Sequence, residues 1–544
     1  MDAEANATTR NGGNRTAWTP SNVFLNRVPR FESWRGRNYV QVRRPAVLGL
    51  GRPAHVPQTS AALAAKSDPP PNRGAVAGRI QGTVLGQGEA VKIAVAGATG
   101  FVGRALVGAL APDHRVLAFA RRKPDVSAAE GRALDVGDEA AATEALAGCA
   151  AAYYLVHSLD AGEFRDRDRR LAATFGRAAA AAGVERIVYV GGLGHDPASE
   201  HLASRQEVGV ALGEAGVPVI ELRAAVILGA GSISFEMLRY LTERLPFMVC
   251  PRWVRTAIQP IALSDMIGCL VASLTAEPGI YELGGADVTT YRAMIAAYAR
   301  ARGLRRRWIV DVPYLTPRLS SYWVDFVTPV NSTVSHALIE SLGTEVVVRD
   351  TTRTAAALGV EPLGVDAAIR AALDQQAETV EADLLDRTSG LAHGVYSERV
   401  SVAIHPGEEP EIDADLDRVG GTLDWYGLVA SWRVRIALGR LVGERWRLRR
   451  PDRVDAGVPV DWWVVVRRTA GELVLRGVGW FPGEGWLGWR VETGELVQVG
   501  ALRPKGVPGF LYWKVLQPIH RKVFAAQARH RVTRVRAAKI ARGR

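Results

Sequence analysis

Apolar and polar residues alternate along residues 91–227 in a pattern that predicts strands and helices in turn. Short apolar runs predict buried strands, and the longer segments between them carry one apolar face, which predicts helices. The predicted strands are Val91–Ala96, Arg115–Ala120, Ala151–Val156, Glu185–Val190 and Val217–Ile227, and the predicted helices are Phe101–Leu110, Glu139–Ala147, Phe164–Ala182 and Ala203–Ala215. This alternation predicts an α/β fold with a doubly wound parallel sheet.

The pattern changes twice further along the chain. After residue 230 it becomes mixed, and the helices predicted at Phe235–Arg244, Ser264–Leu274 and Tyr291–Arg302 would cap the carboxyl edge of the sheet. A second, smaller α+β domain follows. Its predicted strands are Val395–Ile404, Gly427–Arg435, Asp461–Arg468, Glu472–Trp480 and Trp486–Glu492, and its predicted helix runs from Phe510 to about Arg531.

These patterns predict a domain order. The predicted segments are a disordered tail (1–90), a nucleotide-binding domain (91–373), a linker (374–394), an α+β domain (395–535) and a basic tail (536–544).

Charge is concentrated at the two ends of the chain. The net charge of the 544 residues is +12, but residues 1–90 hold 12 Lys/Arg against five Asp/Glu, and residues 521–544 hold nine Lys/Arg and no acid. The remainder is mildly acidic, so we expect no nucleic-acid partner. The three cysteines are widely spaced, which argues against a disulfide framework and favours the cytoplasm. The cysteines and histidines also lack the spacing of metal ligands, which argues against a metal site. We find no apolar run long enough to span a membrane.

A glycine-rich loop follows the first predicted strand and opens the first predicted helix. Gly97 would allow a tight turn, Gly100 a close approach of a pyrophosphate, and Gly103 close packing of helix on strand. With Thr99, Phe101 and Val102, these glycines are the predicted phosphate-binding residues of a Rossmann-type domain.

Two arginines, Arg121 and Arg122, follow the second predicted strand, where such folds meet the adenosine ribose. An arginine there accepts the 2′-phosphate of NADP, so NADP(H) is favoured over NAD(H), against the alternative of a solvated basic turn. Asp135 and Val136 lie where an adenine would be bound, although Asp135 is equally interpreted as a helix cap.

The glycine loop, the paired arginines and Leu134-Asp135-Val136 resemble the short-chain dehydrogenase/reductase superfamily, most closely its atypical, NmrA-like or complex-I-subunit-like members. Residues 153–158, 221–235 and 251–261 are similar to a bacterial group of NAD(P)-binding proteins that carry a C-terminal domain of unknown function. The resemblance covers about residues 91–535. It implies hydride transfer between NADP(H) and a carbonyl, enone or alcohol. We expect the substrate to be small and largely apolar, because the sequence shows no dedicated metal-binding or nucleophile constellation.

The catalytic residues that the resemblance implies are replaced here. The superfamily uses Tyr-x-x-x-Lys and an upstream Ser. In this chain His201 stands in the place of the Tyr and Arg205 in the place of the Lys, and Gly191-Gly192 occupies the position of the Ser. Three interpretations stay open. His201 is a general acid/base with a pKa near neutrality and Arg205 holds the ribose; or the domain binds a dinucleotide without catalysis, as a sensor or assembly factor; or both residues lie on the surface of a helix.

Other candidate residues surround the expected nicotinamide pocket. His157 and Ser158 follow a central strand, whereas Tyr153 and Tyr154 are predicted to be core. Arg252, Trp253 and Arg255 are candidates for binding an anionic substrate group, and an internal salt-bridge cluster is the alternative.

The C-terminal helix from Leu511 to Phe524 resembles the closing helix of helix-grip domains. The resemblance implies a cavity for an apolar ligand. Two interpretations of the tryptophans in the predicted strands stay open: they line this cavity, or they form an ordinary hydrophobic core. These tryptophans are Trp425, Trp462, Trp463, Trp480, Trp486 and Trp489. The basic C-terminal tail is a candidate for peripheral membrane contact, with a solvated terminus as the alternative.

Overall fold

The computed structural model describes residues 90–126, 128–157, 164–195, 200–312, 343–392, 394–426, 448–478 and 482–542, with the single positions 433 and 437. These residues form two compact units. The first comprises residues 90–376 and 503–515, and the second comprises residues 377–502 and 516–542. The tail predicted over residues 1–90 lies outside the described residues, apart from residue 90.

Up to residue 376, the described residues of the first unit contain thirteen strands and nine helices, and the last of these helices continues into the second unit. In chain order they are β1 (Lys92–Ala96), α1 (Phe101–Leu110), β2 (Arg115–Ala120), β3 (Glu130–Ala133), α2 (Glu139–Leu146), β4 (Ala151–Tyr154), α3 (Phe164–Ala181), β5 (Arg186–Gly192), α4 (Glu200–Gly213), β6 (Val219–Ala224), β7 (Ile227–Leu228), α5 (Ile233–Arg244), β8 (Phe247–Pro251), a 3-10 turn (Arg252–Arg255), β9 (Ala257–Ile258), β10 (Ile261–Ala262), α6 (Leu263–Ala272), β11 (Gly279–Leu283), β12 (Thr289–Thr290), α7 (Tyr291–Ala301), β13 (Trp308–Val312), α8 (Thr351–Leu358) and α9 (Val365–Asp383). Residues 503–515 add the end of one strand and the start of one helix that lie mainly in the second unit.

Seven of these strands form one parallel sheet in the order β3-β2-β1-β4-β5-β6-β11. This is the usual order of a Rossmann-type sheet with a seventh strand added. Successive residues of β1 face opposite sides of the sheet: Ile93 packs in one core cluster with Leu106 of α1, and Ala94 packs in another with Phe175 of α3. The predicted doubly wound parallel sheet is confirmed.

The predicted strand Val217–Ile227 is in fact divided. Its central part is β6, which ends at Ala224, and β7 then leaves the large sheet to pair with β10. The edge strand β3 is absent from the predicted set because none of its four residues is buried, so no apolar run marks it. The remaining short ribbons, β9-β12 and β8-β13, lie among residues 225–312, the segment that holds the helices predicted to cap the sheet, and this segment is called the cap below.

The second unit is built on a seven-stranded antiparallel sheet in the order β14-β15-β20-β19-β18-β17-β16. Its elements are a 3-10 turn (Leu384–Asp386), β14 (Gly390–Ala392), β15 (Val395–Ala403), α10 (Glu409–Leu416), a 3-10 turn (Leu423–Tyr426), β16 (Pro459–Val460), β17 (Trp463–Thr469), β18 (Glu472–Gly477), β19 (Gly483–Glu492), β20 (Glu495–Pro504) and α11 (Gly506–Arg542).

Helix α11 contributes Ala528, Val532 and Val535 to the core of the second unit, which confirms the predicted α+β class. The helix continues to Arg542, so the segment predicted as a separate tail from residue 536 is helical as far as that residue. The predicted strand Gly427–Arg435 lies outside the described residues except for residue 433.

Candidate functional site

The loop between β1 and α1 requires glycine at two positions. Gly97 has φ +87°, and a Cβ there would lie 2.6 Å from the carbonyl oxygen of Leu155. A Cβ at Gly103 would overlap the carbonyl oxygen of Gly97 and push α1 away from the loop. The N–H groups of Gly97 and Ala98 donate to the carbonyl of Phe119 at 3.0 and 3.1 Å. The loop is therefore fixed between the ends of β2 and β4, with α1 directly against it.

The first turn of α1 offers hydrogen-bond donors to a phosphate group. Helical bonding begins with the N–H of Arg104, which donates to the carbonyl of Gly100 at 3.0 Å. The N–H groups of Phe101, Val102 and Gly103 therefore lie at the positive end of the helix dipole without a place in the helical ladder. No acidic residue occurs in this turn. A tight glycine loop and free N–H groups fit the pyrophosphate of a dinucleotide.

Two further contacts hold the loop in place. The carbonyl of Thr99 accepts a hydrogen bond from Arg104 Nε at 2.6 Å. The ring of Phe101 lies against the segment after β7, where a Cβ at Gly229 would come within 2.9 Å of the ring. The phosphate loop is thus packed against the start of the cap.

Strand β2 ends beside the glycine loop because Phe119 pairs with Ala96. Arg121 and Arg122 follow this end, and both side chains are exposed. Their position at the carboxyl edge is the one at which this fold meets the adenosine ribose, so the geometry fits a 2′-phosphate.

The helix-cap interpretation of Asp135 is wrong. Its Oδ1 accepts from the N–H of Gly137 at 2.9 Å and so closes a turn, whereas the cap of α2 is Asp138, whose Oδ1 accepts from Ala141 at 3.0 Å. The side chain of Asp135 is exposed at the end of β3, and that of Val136 is buried in the core.

The end of β4 separates core residues from pocket residues. Tyr153 and Tyr154 are buried as predicted, and the Tyr153 hydroxyl donates to the carbonyl of Leu270 at 2.7 Å. His157 is exposed two residues beyond Leu155, which borders Gly97. Ser158 lies outside the described residues.

His201 lies on α4, close enough to His157 and Arg205 for their charges to affect it. Burial, and then the nearby Arg205 and His157, lower the pKa of His201 to about 4. The expected pKa near neutrality is therefore wrong, and the imidazole is neutral at pH 7. Its Nδ1 is buried and has no hydrogen-bond partner among the described residues. A neutral imidazole with such a low pKa is better suited to donate a hydrogen bond than to act as a general acid.

Arg205 is directed toward β5. Its guanidinium donates to the carbonyl of Val190 and lies 5.2 Å from the ring centre of Tyr189. The Tyr189 hydroxyl in turn donates to the backbone carbonyl of Arg205 at 2.8 Å. In this arrangement Arg205 anchors α4 to the sheet, which does not favour the interpretation that it holds a ribose.

At Gly191, the first residue of the predicted serine position, an added side chain would meet a buried carboxylate. A Cβ at Gly191 would overlap Oε1 of Glu221, and a Cβ at Gly209 would lie 2.6 Å from its Oε2. Glu221 is 4% exposed and pairs with Arg223, whose Nε lies 2.8 Å from Oε1. A carboxylate therefore fills the space that a serine side chain would need. In the sequence, Glu221 is marked only by being an acid inside an apolar strand.

The Arg-Trp-x-Arg run lies in the 3-10 turn after β8. Arg255 pairs with Asp311, which also pairs with Arg292 at 3.0 Å. This favours the salt-bridge cluster over substrate binding for Arg255. The side chain of Arg252 is exposed, and that of Trp253 is outside the described set.

In the second unit, the described candidate tryptophans are buried as core. The rings of Trp425 and Trp489 are 5.1 Å apart, and those of Tyr426 and Trp462 are stacked at 5.1 Å. Buried Arg531 lies 4.0 Å from the ring of Trp425. Trp463 and Trp486 are also buried, and Trp480 lies outside the described residues.

Four cations of the basic C-terminal region are paired within the second unit, mostly with acids of α10. This engagement weakens the case for membrane contact through the tail. The pairs are Arg531–Asp415, Arg534–Asp415, Arg536–Glu408 and Lys539–Glu411.

In the part of the chain that is described, no group of three His, Cys, Asp or Glu side chains is placed to hold a metal ion. Likewise, none of the described helices is long and apolar enough to cross a membrane.

Fold and loop together define an NAD(P)-binding domain of the Rossmann type, and comparison with protein families agrees. Residues 97–213 match the family model described as NAD(P)H-binding. Residues 391–527 match the model described as protein of unknown function, DUF2867. The resemblance to NAD(P)-binding proteins that carry a C-terminal domain of unknown function is confirmed. No curated protein sequence matches the chain.

Solved structures with a similar fold share little sequence with this chain. The enzyme WbmH of Bordetella bronchiseptica, crystallised with NAD+, is 14% identical, with a TM-score of 0.41 over 53% of this chain and 99% of its own. The NADPH-dependent quinone oxidoreductase QOR2 of Escherichia coli, crystallised with NADPH, is 19% identical, with a TM-score of 0.42 over 51% and 98%. A nucleoside-diphosphate-sugar epimerase of Staphylococcus aureus is 16% identical, with a TM-score of 0.42 over 51% and 99%.

Proposed function

We propose that the protein is an NADP(H)-dependent oxidoreductase that transfers a hydride between NADP(H) and a small, largely apolar carbonyl, enone or alcohol. The observation that carries the proposal is the environment of His201. Burial keeps its imidazole neutral, and its Nδ1 has no partner among the described residues. A buried polar atom without a partner is costly in a folded protein unless a ligand or water completes it.

The chain's residues then have distinct tasks. The N–H groups of Phe101, Val102 and Gly103 bind the pyrophosphate, and Arg121 and Arg122 bind the 2′-phosphate. Bound NADPH supplies the hydride. His201 donates a hydrogen bond to the substrate oxygen and stabilises the negative charge that develops there; the proton comes from solvent because an imidazole of such low pKa carries no extra proton at pH 7.

The proposal is tested by NADPH oxidation against a panel of aldehydes, ketones, enones and quinones. With a turned-over substrate, His201→Ala should lower kcat/KM by about 10²-fold, because one oxyanion donor is worth roughly that much. His201→Gln keeps a donor and should retain part of the activity. His405→Ala, at an exposed histidine of the second unit, is the matched control. Unchanged turnover in His201→Ala would refute the role of His201.

A second candidate function is NADP(H) binding without catalysis, as in a sensor or assembly factor. Two observations support it, because each affects a residue that the superfamily uses in catalysis. The guanidinium of Arg205 is hydrogen-bonded to the carbonyl of Val190, and the carboxylate of Glu221 fills the space at the serine position. Tight NADPH binding without turnover of any substrate in the panel would favour this candidate.

A further inference from the structure

The parallel ribbon of β8 and β13 has two apolar faces. Phe247 pairs with Trp308 and Val249 with Val310, so these four side chains share one face. Met248, from the opposite face, is buried in the core of the cap. The shared face is exposed: Phe247 by 56%, Val249 by 51%, Trp308 by 66% and Val310 by 46%.

Such a face is unusual for a ribbon at the surface of a protein. A sheet that packs on a core with one face normally alternates apolar and polar residues, so that the solvent side is polar. Here both sides are apolar, and a contiguous apolar patch at the surface marks an interaction site.

The first turns of α11 lie beside the start of this ribbon in the same unit. Arg244, which precedes β8, lies 5.6 Å from the ring centre of Phe510. Arg307, which precedes β13, has its Nη2 3.7 Å from the Cβ position of Gly506. One turn further along, Leu511 and Val515 are 52% and 69% exposed. These two exposed apolar residues belong to the first turns of the helix, whose start lies beside the start of the ribbon.

The chain around these side chains is strongly cationic. Residues 244–255, 303–311 and 505–515 contain eight Lys/Arg and a single acid, Asp311. Asp311 is already paired with Arg255 and Arg292. Three of the cations, residues 305–307, immediately precede Trp308.

We propose that this surface, formed by the outer face of β8-β13 and the start of α11, docks on an anionic lipid bilayer. The Trp308 ring enters the interfacial region, where amphipathic aromatic groups are favoured, Phe247 adds buried apolar area, and the arginines meet acidic headgroups. A second copy of the chain is the less favourable occupant, because an isologous contact would bring two cationic surfaces together. This inference is independent of the proposed catalytic function.

The test is co-sedimentation of the full-length protein with vesicles. One set contains phosphatidylcholine alone, and the other contains about 30% phosphatidylserine. The wild type should bind the anionic vesicles and not the neutral ones, with affinity that falls as salt is raised. Phe247→Ser/Trp308→Ser should weaken binding about tenfold or more, because the apolar area that enters the membrane is lost. Arg305→Ser/Arg306→Ser should, separately, also weaken binding about tenfold or more, because two cations that attract acidic headgroups are lost.

Val210→Ser/Val288→Ser is the matched control, because these valines of the same unit are 68% and 57% exposed. It should bind vesicles like the wild type, and the melting temperature and NADPH affinity of every variant show whether the fold is kept. Failure of the wild type to bind anionic vesicles, or unchanged binding in the Phe247/Trp308 variant, would overturn the proposal. A wild-type dimer that Trp308→Ser dissociates would also overturn it in favour of a second copy.

Discussion

Replacing Gly97 by alanine tests the phosphate loop at its most constrained point. A residue with a side chain at φ +87° costs about 1–2 kcal/mol relative to glycine. The new Cβ would also lie 2.6 Å from the carbonyl oxygen of Leu155, closer than real contacts allow. Either Gly97 or Leu155 must move by roughly half an ångström, so we expect the free energy of unfolding to fall by about 2–4 kcal/mol.

The same displacement moves the N–H groups of the first turn of α1 away from the pyrophosphate. Losing one hydrogen bond to a charged group costs about 1.5–3 kcal/mol, which corresponds to a roughly 10- to 100-fold rise in the Kd for NADPH. Isothermal titration of the folded variant measures this change. Gly108→Ala is the control on the same helix, because nothing lies within 4 Å of its Cβ position and alanine favours a helix. Gly97→Ala binding NADPH as tightly as Gly108→Ala would refute this account of the loop.

Three further predictions concern charge. The double variant Arg121→Ser/Arg122→Ser should lower the preference for NADPH over NADH by about tenfold or more in titrations, since a charge-assisted hydrogen bond to the 2′-phosphate is worth about 1.5–3 kcal/mol. Because the pKa of His201 is lowered from 6.5 to about 4, the unfolded chain binds more protons than the folded chain between these values, and stability should fall by about 3 kcal/mol as pH falls through that window. His201→Gln should remove this part of the decline in chemical denaturation. Asp415→Asn should destabilise the second unit by about 3 kcal/mol in the same assay, because Arg531 would remain buried without its carboxylate partner.

Matched controls separate these effects from general loss of charge. Arg167→Ser/Arg170→Ser removes two exposed arginines of α3 and should leave the cofactor preference unchanged. Asp417→Asn breaks a more exposed pair with Arg468 and should cost less than about 1 kcal/mol. An Asp415→Asn variant as stable as Asp417→Asn would contradict the account of the buried ion pair.

The parts of the fold that local patterns specify were predictable. The apolar run of β1, the glycines after it and the single apolar face of α1 depend on neighbours in sequence, and the structure has them where expected. Strand β3 could not be predicted, because it has no apolar pattern of its own and is a strand only through its pairing with β2. Its pairing depends on residues that are distant in sequence.

The candidate site shows the same division. The positions of Arg121 and Arg122 follow from the strand that ends before them. The environment of His201, the engagement of Arg205 by Val190 and the carboxylate of Glu221 beside Gly191 all depend on contacts between separate elements. Composition and spacing carry no information on such contacts, so the expected near-neutral pKa of His201 was wrong.

The proposed hydride transfer from bound NADPH is tested most directly by a single-turnover experiment with NADPH deuterated at one face of nicotinamide C4. With a substrate from the carbonyl and enone panel, we predict deuterium in the product from one face of the nicotinamide only and a primary isotope effect on the chemical step. NADPH that binds the protein but stays unoxidised, with no deuterium in any product, would contradict the claim and leave cofactor binding as the function of the domain.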